Sequence, residues 1–84
     1  MTDYISLVKQ VAGAEEVWEE RRFLIYRERR SLIVTIMDQG ADATSLRYMV
    51  NVEGASDGDN TTSLGNPASN VEEALHNVHW WEFD

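Results

Sequence analysis

Two histidines near the end of the chain are the residues best placed to bind a metal. His76 and His79 are three positions apart, with Glu72 about one helical turn before His76 and Glu73 about two turns before His79. If this segment is a helix, residues three or four apart share a face, so two imidazoles and a carboxylate could bind one ion. The H-E-x-x-H pattern is absent. The sequence therefore favours an ordinary surface pair of histidines, and we predict no metal and no cofactor.

A second segment has the first residues of a calcium-binding loop. It reads Asp57-Gly58-Asp59-Asn60. An EF-hand loop requires glycine at its sixth position and glutamate at its twelfth. This chain has Thr62 and Ala68 at those positions. The segment is therefore predicted to be a flexible acidic loop.

Covalent catalysis finds no support in the sequence. There is no cysteine, which excludes disulfides and thiolate chemistry and fits a reducing cytoplasm. A G-x-S-x-G motif and a glycine-rich phosphate loop are also missing. In each of the pairs Glu15–Glu16 and Glu19–Glu20, the two adjacent side chains point to different faces, so they are predicted to be solvated charges. We predict that the protein is not an enzyme.

Charge is distributed unevenly along the chain, whose formal net charge is −8. Five of the seven basic residues lie within RRFLIYRERR: Arg21, Arg22, Arg27, Arg29 and Arg30. From position 48 onward there are acids but no lysine or arginine. An acidic surface argues against direct binding of nucleic acid and could instead imitate a nucleic-acid backbone. The predicted last helix begins with Glu72 and Glu73, where double-stranded-RNA-binding modules need cations.

Apolar spacing predicts the elements that must position these residues. Residues 3–12 form an amphipathic helix capped by Thr2 or Asp3 and ended by Gly13, with Tyr4 and Val8 in the core. Residues 13–22 are compatible with helix or strand, although strand is favoured after about residue 17. The apolar residues at 23–26 predict a segment buried on both faces.

Two further strands follow, at about residues 32–37 and 45–52. The first pairs with the preceding strand as a β-hairpin. In the second, alternation places Leu46, Tyr48, Val50 and Val52 toward the core. Residues 53–68 contain almost no large apolar side chain and are predicted to form one long flexible loop.

The C-terminal segment has the signature of a capped helix. Ser69 and Glu72 match a capping box, and the helix is expected to run to about residue 80. Continuing its apolar stripe from Val78 places Trp81 in the core. The same extrapolation leaves Trp80 and Phe83 as the more exposed aromatic rings.

The last third, GNPASNVEEALHNVHWWEFD, resembles the ending of small orphan proteins carried by tailed phages of high-GC hosts. In those proteins a Gly-Asn-Pro turn precedes a short helix that ends in an aromatic pair. The resemblance covers about twenty residues and includes no catalytic residue. It implies a cytoplasmic, non-structural phage product that acts on a host protein.

Together these observations predict a single α+β domain spanning residues 1–84. Three antiparallel strands form a meander, and both terminal helices pack on one face. The predicted function is binding of another protein, or of a second copy, without catalysis; the alternatives are a nucleic-acid mimic and a ligand-binding or metal-binding homodimer. No apolar run approaches the ~18 residues of a membrane span. The predicted contact residues are Asp57, Asp59, Glu72, Glu73 and Trp80, with Arg22, Arg27 and Arg29 as an alternative face.

Overall fold

The computed structural model describes residues 3–27, 29–40 and 46–84. Helix α1 (Tyr4–Ala12) precedes four strands, β1 (Glu19–Arg27), β2 (Arg30–Asp38), β3 (Tyr48–Gly54) and β4 (Thr62–Leu64), followed by helix α2 (Val71–His76) and a 3₁₀ helix (Trp80–Phe83). Each strand pairs antiparallel with the next, in the order β1-β2-β3-β4. The α+β class is therefore confirmed.

The sheet contains one more strand than the sequence predicts. β4 lies inside the segment predicted to be a single flexible loop, where Asn51 of β3 pairs with Leu64 and Glu53 pairs with Thr62. Three residues are a short strand, and the polar residues around them hide its alternation. The three-stranded meander is thus wrong in strand number, although its antiparallel order is correct.

One face of the sheet, called the inner face, carries the core. The buried apolar residues of β2 and β3 are Leu32, Val34, Val50 and Val52. They pack against residues from the C-terminal third, namely Ala68, Ala74, Val78 and Phe83. Residues of β2 and β3 that alternate with these point to the opposite side, called the outer face.

Helix α1 has the predicted ends but not the predicted packing. The Asp3 carboxylate accepts a hydrogen bond from the Ser6 amide, and Gly13 ends the helix with a φ of +66°. No residue of α1 is buried, so the predictions of a core role for Tyr4 and Val8, and of both helices packed on one face, are wrong. The helix approaches the sheet through Ile5, which lies so close to Gly40 that a Cβ there would be 3.2 Å from the Ile5 Cδ1. Among the described helices, none has the length and hydrophobicity needed to cross a membrane.

Strand β1 is an edge strand, and this position corrects the prediction that residues 23–26 are buried on both faces. Residues 13–22, which the sequence left open between helix and strand, contain the connection that follows α1 and the start of β1, at Glu19. Because β1 pairs only with β2 among the described strands, Phe23, Leu24 and Tyr26 are exposed. Leu46 precedes β3 and is exposed as well.

Helix α2 begins with a different cap from the predicted one and ends earlier than predicted. Asn70, rather than Ser69, caps the helix and accepts a hydrogen bond from the Glu73 amide (2.8 Å). The His79 amide donates to the Ser63 hydroxyl (3.1 Å) instead of continuing the helix. The Leu75 carbonyl accepts from the Trp80 indole N–H (2.8 Å). The chain therefore leaves the helix after His76 and turns again as a 3₁₀ helix.

This early end reverses the predicted roles of the C-terminal aromatic rings. Phe83 has 0% of its surface exposed and belongs to the core, whereas Trp81 is 67% exposed. Trp80 is partly buried against the core. The extrapolation fails because a helical period cannot be extended through the non-helical residues at 77–79.

Candidate functional site

Asp59, one of the predicted contact residues, has its carboxylate bound by other residues of the same chain. Arg30 donates to both carboxylate oxygens of Asp59, at 2.9 Å and 3.2 Å, and also to the Thr61 hydroxyl at 2.8 Å. A side chain at Gly54 would overlap the Asp59 carboxylate. Asp59 therefore anchors the β3–β4 connection to β2. Its carboxylate is already bound by Arg30.

The environment of Asp59 predicts a loss of stability in acid. The Thr61 amide and the Arg30 guanidinium hold the pKa of Asp59 below its usual range. A carboxyl whose pKa is lower in the folded chain than in the unfolded chain stabilises the fold above its unfolded pKa of about 3.9. That stabilisation is lost as the pH falls through the folded pKa. We expect Asp59→Asn to lower the melting temperature at pH 7 and to flatten its decline below about pH 4.

Thermal melts between pH 2.5 and 7 measure this effect. The matched control is Asp57→Asn, which makes the same chemical change at an exposed position of the same loop. An Asp57→Asn variant that loses as much stability at neutral pH as Asp59→Asn would contradict the anchoring role.

The other predicted acidic contact residues are exposed. Asp57 lies in the turn after β3, and Glu72 and Glu73 lie in the first turn of α2. The Glu72 carboxylate is 4.0 Å from the His76 imidazole, and both side chains are largely solvated. Such pairs contribute little to stability, so these carboxylates are accessible to a partner.

The histidines do not share a helix face. Helix α2 ends at His76, and His79 lies in the connection to the 3₁₀ helix. The His79 ring stacks on Trp81 with centroids 4.6 Å apart, and its Nδ1 is 3.8 Å from the Glu82 carboxylate. Within residues 3–27, 29–40 and 46–84, no group of three or more metal-binding side chains comes together.

Trp80 and the arginines of the alternative face lie in different parts of the structure. The Arg27 guanidinium bonds Asp84 at 2.8 Å and lies 5.9 Å from the centre of the Trp80 ring. Arg22 points to the outer face and is 3.6 Å from Glu53. Arg29 lies in the turn between β1 and β2 with a φ of +62°. The structure therefore does not gather Arg22, Arg27 and Arg29 into one surface.

The outer face of the sheet is an exposed apolar surface that contains Arg22 but none of the other predicted contact residues. Leu24, Tyr26 and Leu64 project from it with 58%, 77% and 59% of their surfaces exposed. Ile33, Met37 and Met49 lie on the same face and are half-buried. The helix that contacts the sheet extensively, α2, packs on the inner face through β3.

A shallow groove of about 350 Å³ crosses the middle of the outer face. Met37 and Leu64 supply its apolar walls, and the buried Thr35 lies beneath them. Charged groups stand on the rim, where Arg22 and Glu53 form an ion pair. Apolar walls with polar groups between them suit a side chain or short segment of another protein.

Sequence alone could have indicated one part of this face. Thr61-Thr62-Ser63-Leu64 contains β-branched residues beside a single large apolar side chain, which is typical of a short edge strand. The exposure of Leu24 and Tyr26 depends on strand order, and no local pattern contains that information. Comparison with protein families, with curated proteins and with solved structures found no match for this chain.

Proposed function

We propose that this chain is a small, non-enzymatic protein-binding module whose contact surface is the outer face of the sheet. The observation that carries the proposal is the exposure of Leu24, Tyr26 and Leu64 on a face that also contains the groove. Large apolar side chains grouped on one exposed face mark sites of protein interaction. The partner presents an apolar side chain to Met37 and Leu64, with polar groups that meet Arg22 and Glu53.

The partner and its setting follow from the resemblance to phage proteins. On that hypothesis the partner is a protein of a high-GC bacterial host, and binding occurs in the host cytoplasm. The chain then acts by covering a surface of the host protein. Its net charge of −8 speeds association with a partner of opposite charge.

An acidic contact surface is the second candidate, favoured by one observation. Glu72 and Glu73 are exposed at the start of α2, and Asp57 is exposed after β3. These carboxylates could meet a basic groove of a host protein in place of nucleic acid. An interface built from exposed charges weakens steeply with salt, whereas an apolar interface does not.

A pair of matched variants tests the outer face. Leu64→Glu places a carboxylate on the outer face, and Leu7→Glu makes the same change on α1, where the leucine is also exposed. The immobilised protein and both variants capture proteins from a lysate of a high-GC bacterium at low and at high salt. The captured protein is then purified, and its Kd is measured for each variant.

The proposal predicts that Leu64→Glu weakens binding by roughly 10- to 100-fold. Leu7→Glu is expected to bind like the wild type, and binding should persist at high salt. Binding that is lost at high salt, is unaffected by Leu64→Glu and is abolished by Glu72→Lys with Glu73→Lys would contradict the outer face. That result would support the acidic surface instead.

A further inference from the structure

We infer that the edge of β1 pairs with β1 of a second copy, antiparallel and about a two-fold axis at Phe23, to form a continuous eight-stranded sheet. This homodimer does not depend on the outer-face partner proposed above. Strand β1 has nine residues and β4 only three. The two edges of the sheet are therefore very different, and β1 is the one long enough to extend it.

The hydrogen-bond pattern shows which backbone groups of β1 point outward. The Ser31 carbonyl accepts from the Ala55 amide at 2.9 Å, so the backbone of Ser31 faces the β3 side. Because backbone groups alternate along an antiparallel strand, Leu32 and Val34 face β1, and their partners Ile25 and Phe23 face β2. The outward N–H and C=O groups of β1 consequently belong to Glu20, Arg22, Leu24 and Tyr26.

This edge lacks two of the residues that protect edge strands. It contains no proline and no lysine, and its centre is the apolar run Phe23–Tyr26. Natural proteins avoid such edges because a long apolar edge pairs readily with another chain. The charged residues of β1 do not prevent self-pairing, because in one register Glu19 lies opposite the partner's Arg27 and no like charges lie directly opposite each other.

Charge selects this register. A two-fold axis at Phe23 pairs all nine residues of the strand and places Glu19 opposite the partner's Arg27. It also places Glu20 opposite the partner's Tyr26 and Phe23 opposite its own copy. Arg27 already bonds Asp84, and its guanidinium has further N–H donors for the partner's Glu19.

The neighbouring registers oppose like charges. An axis at Arg21 or at Arg22 would place that arginine opposite its own copy. An axis at Leu24 would place Arg21 opposite the partner's Arg27. Like charges directly opposite in a sheet are destabilising. Axes farther from the centre of the strand would shorten the ladder.

The dimer also covers the aromatic ring of Phe23, which is about half exposed to solvent in the monomer. Phe23 lies on the inner face with 49% of its surface exposed, beside a groove of about 280 Å³ that Ile36, Tyr48 and Val71 also line. Since Phe23 faces β2, it is a non-hydrogen-bonded position of the new ladder, where opposed Cα atoms are about 4.5 Å apart. The two rings can then pack together. A single nine-residue edge buries less than the ~1,600 Å² of a standard interface, so we expect a Kd in about the micromolar range.

Disulfide trapping tests the register directly, because the chain has no cysteine. In Phe23→Cys the two sulfurs face each other across the axis, at a spacing that a disulfide can bridge. In Leu24→Cys, at a similarly exposed neighbour, the new cysteine lies opposite the partner's Arg22. We expect mild oxidation of the full chain to convert Phe23→Cys to covalent dimer at least tenfold faster than Leu24→Cys.

A charge variant tests the end of the ladder in the cysteine-free chain. Glu19→Arg would place an arginine opposite the partner's Arg27 at both ends of the interface. Sedimentation equilibrium is expected to show dimerisation weakened roughly tenfold. Glu15→Arg makes the same charge change at an exposed position before β1 and is expected to leave the dimer unchanged.

Three results would overturn the inference. One is a wild-type chain that stays monomeric up to millimolar concentration. Another is a Leu24→Cys variant that crosslinks as fast as Phe23→Cys. The third is a dimer lost in Leu64→Glu but kept in Glu19→Arg, which would place self-association on the outer face. Since Leu64 lies far from the β1 edge, on β4, a failed dimer test leaves the partner-binding test with Leu64→Glu unaffected.

Discussion

Replacing Phe83 with alanine is expected to remove most of the stability of this protein. Among the residues that the structure describes, Phe83 is the largest fully buried side chain, although its sequence position is next to the last. Phenylalanine-to-alanine substitutions in a core cost about 3–5 kcal/mol. A domain of this size has a free energy of unfolding of about 5–10 kcal/mol. We therefore expect the melting temperature to fall by about 15–30 °C, or the variant to be unfolded at room temperature.

Thermal unfolding followed by circular dichroism measures this loss. Phe83→Leu is the informative companion, because it keeps most of the buried apolar volume and is expected to recover a large part of the stability. A Phe83→Ala variant that melts within a few degrees of the wild type would show that the 3₁₀ helix does not close the core.

The adjacent tryptophans are expected to respond in opposite ways to the same substitution. Trp80 packs against the core and donates its indole N–H to the Leu75 carbonyl at 2.8 Å. Trp80→Ala loses that contact area and that hydrogen bond, while the Leu75 carbonyl keeps the Val78 amide as a donor at 3.3 Å. We expect a cost of about 2 kcal/mol. Trp81 is 67% exposed, so Trp81→Ala is expected to change stability by less than about 0.5 kcal/mol.

Chemical denaturation of both variants separates the two roles. Each changes the same residue type at neighbouring positions, so each serves as the control for the other. The sequence-based hypothesis of Trp80 as an exposed contact residue makes the opposite prediction. A Trp80→Ala variant with unchanged stability and abolished partner binding would support that hypothesis and contradict the packing described above.

Local signals in the sequence were sufficient to predict the elements whose ends depend on neighbouring residues. Asp3 and Gly13 mark the ends of α1 because a cap and a left-handed glycine act within one turn. The alternation at Val50 and Val52 identified the inner face of β3 correctly. These features depend on contacts that are close along the chain, and a sequence shows them directly.

The misassigned features depend on contacts between distant residues. The His79 amide leaves the helical pattern for the Ser63 hydroxyl, sixteen positions away, and beyond this break Phe83 rather than Trp81 enters the core. The capture of Asp59 by Arg30 spans twenty-nine positions. Composition alone suggested an acidic contact residue there, because it does not indicate which carboxylates have partners.

The strand order accounts for both proposed surfaces. Because β1 occupies an edge, its apolar residues are exposed on both faces of the sheet, and its outward backbone groups face solvent. Because α2 packs on the inner face, Leu64 and its neighbours on the outer face stay accessible. Leu24 and Tyr26 lie on the outer face and also belong to the β1 edge, whereas Leu64 on β4 belongs to the outer face alone.

Nuclear magnetic resonance most directly maps the surface of this chain that contacts the captured partner. Amide and methyl signals of the isotope-labelled chain are followed during titration with the purified partner. We expect the largest shifts on outer-face residues such as Ile33, Met49 and Leu64, while α1 and the first turn of α2 stay unchanged. Shifts concentrated at Asp57, Glu72 and Glu73, with the outer face unchanged, would contradict binding through the outer face.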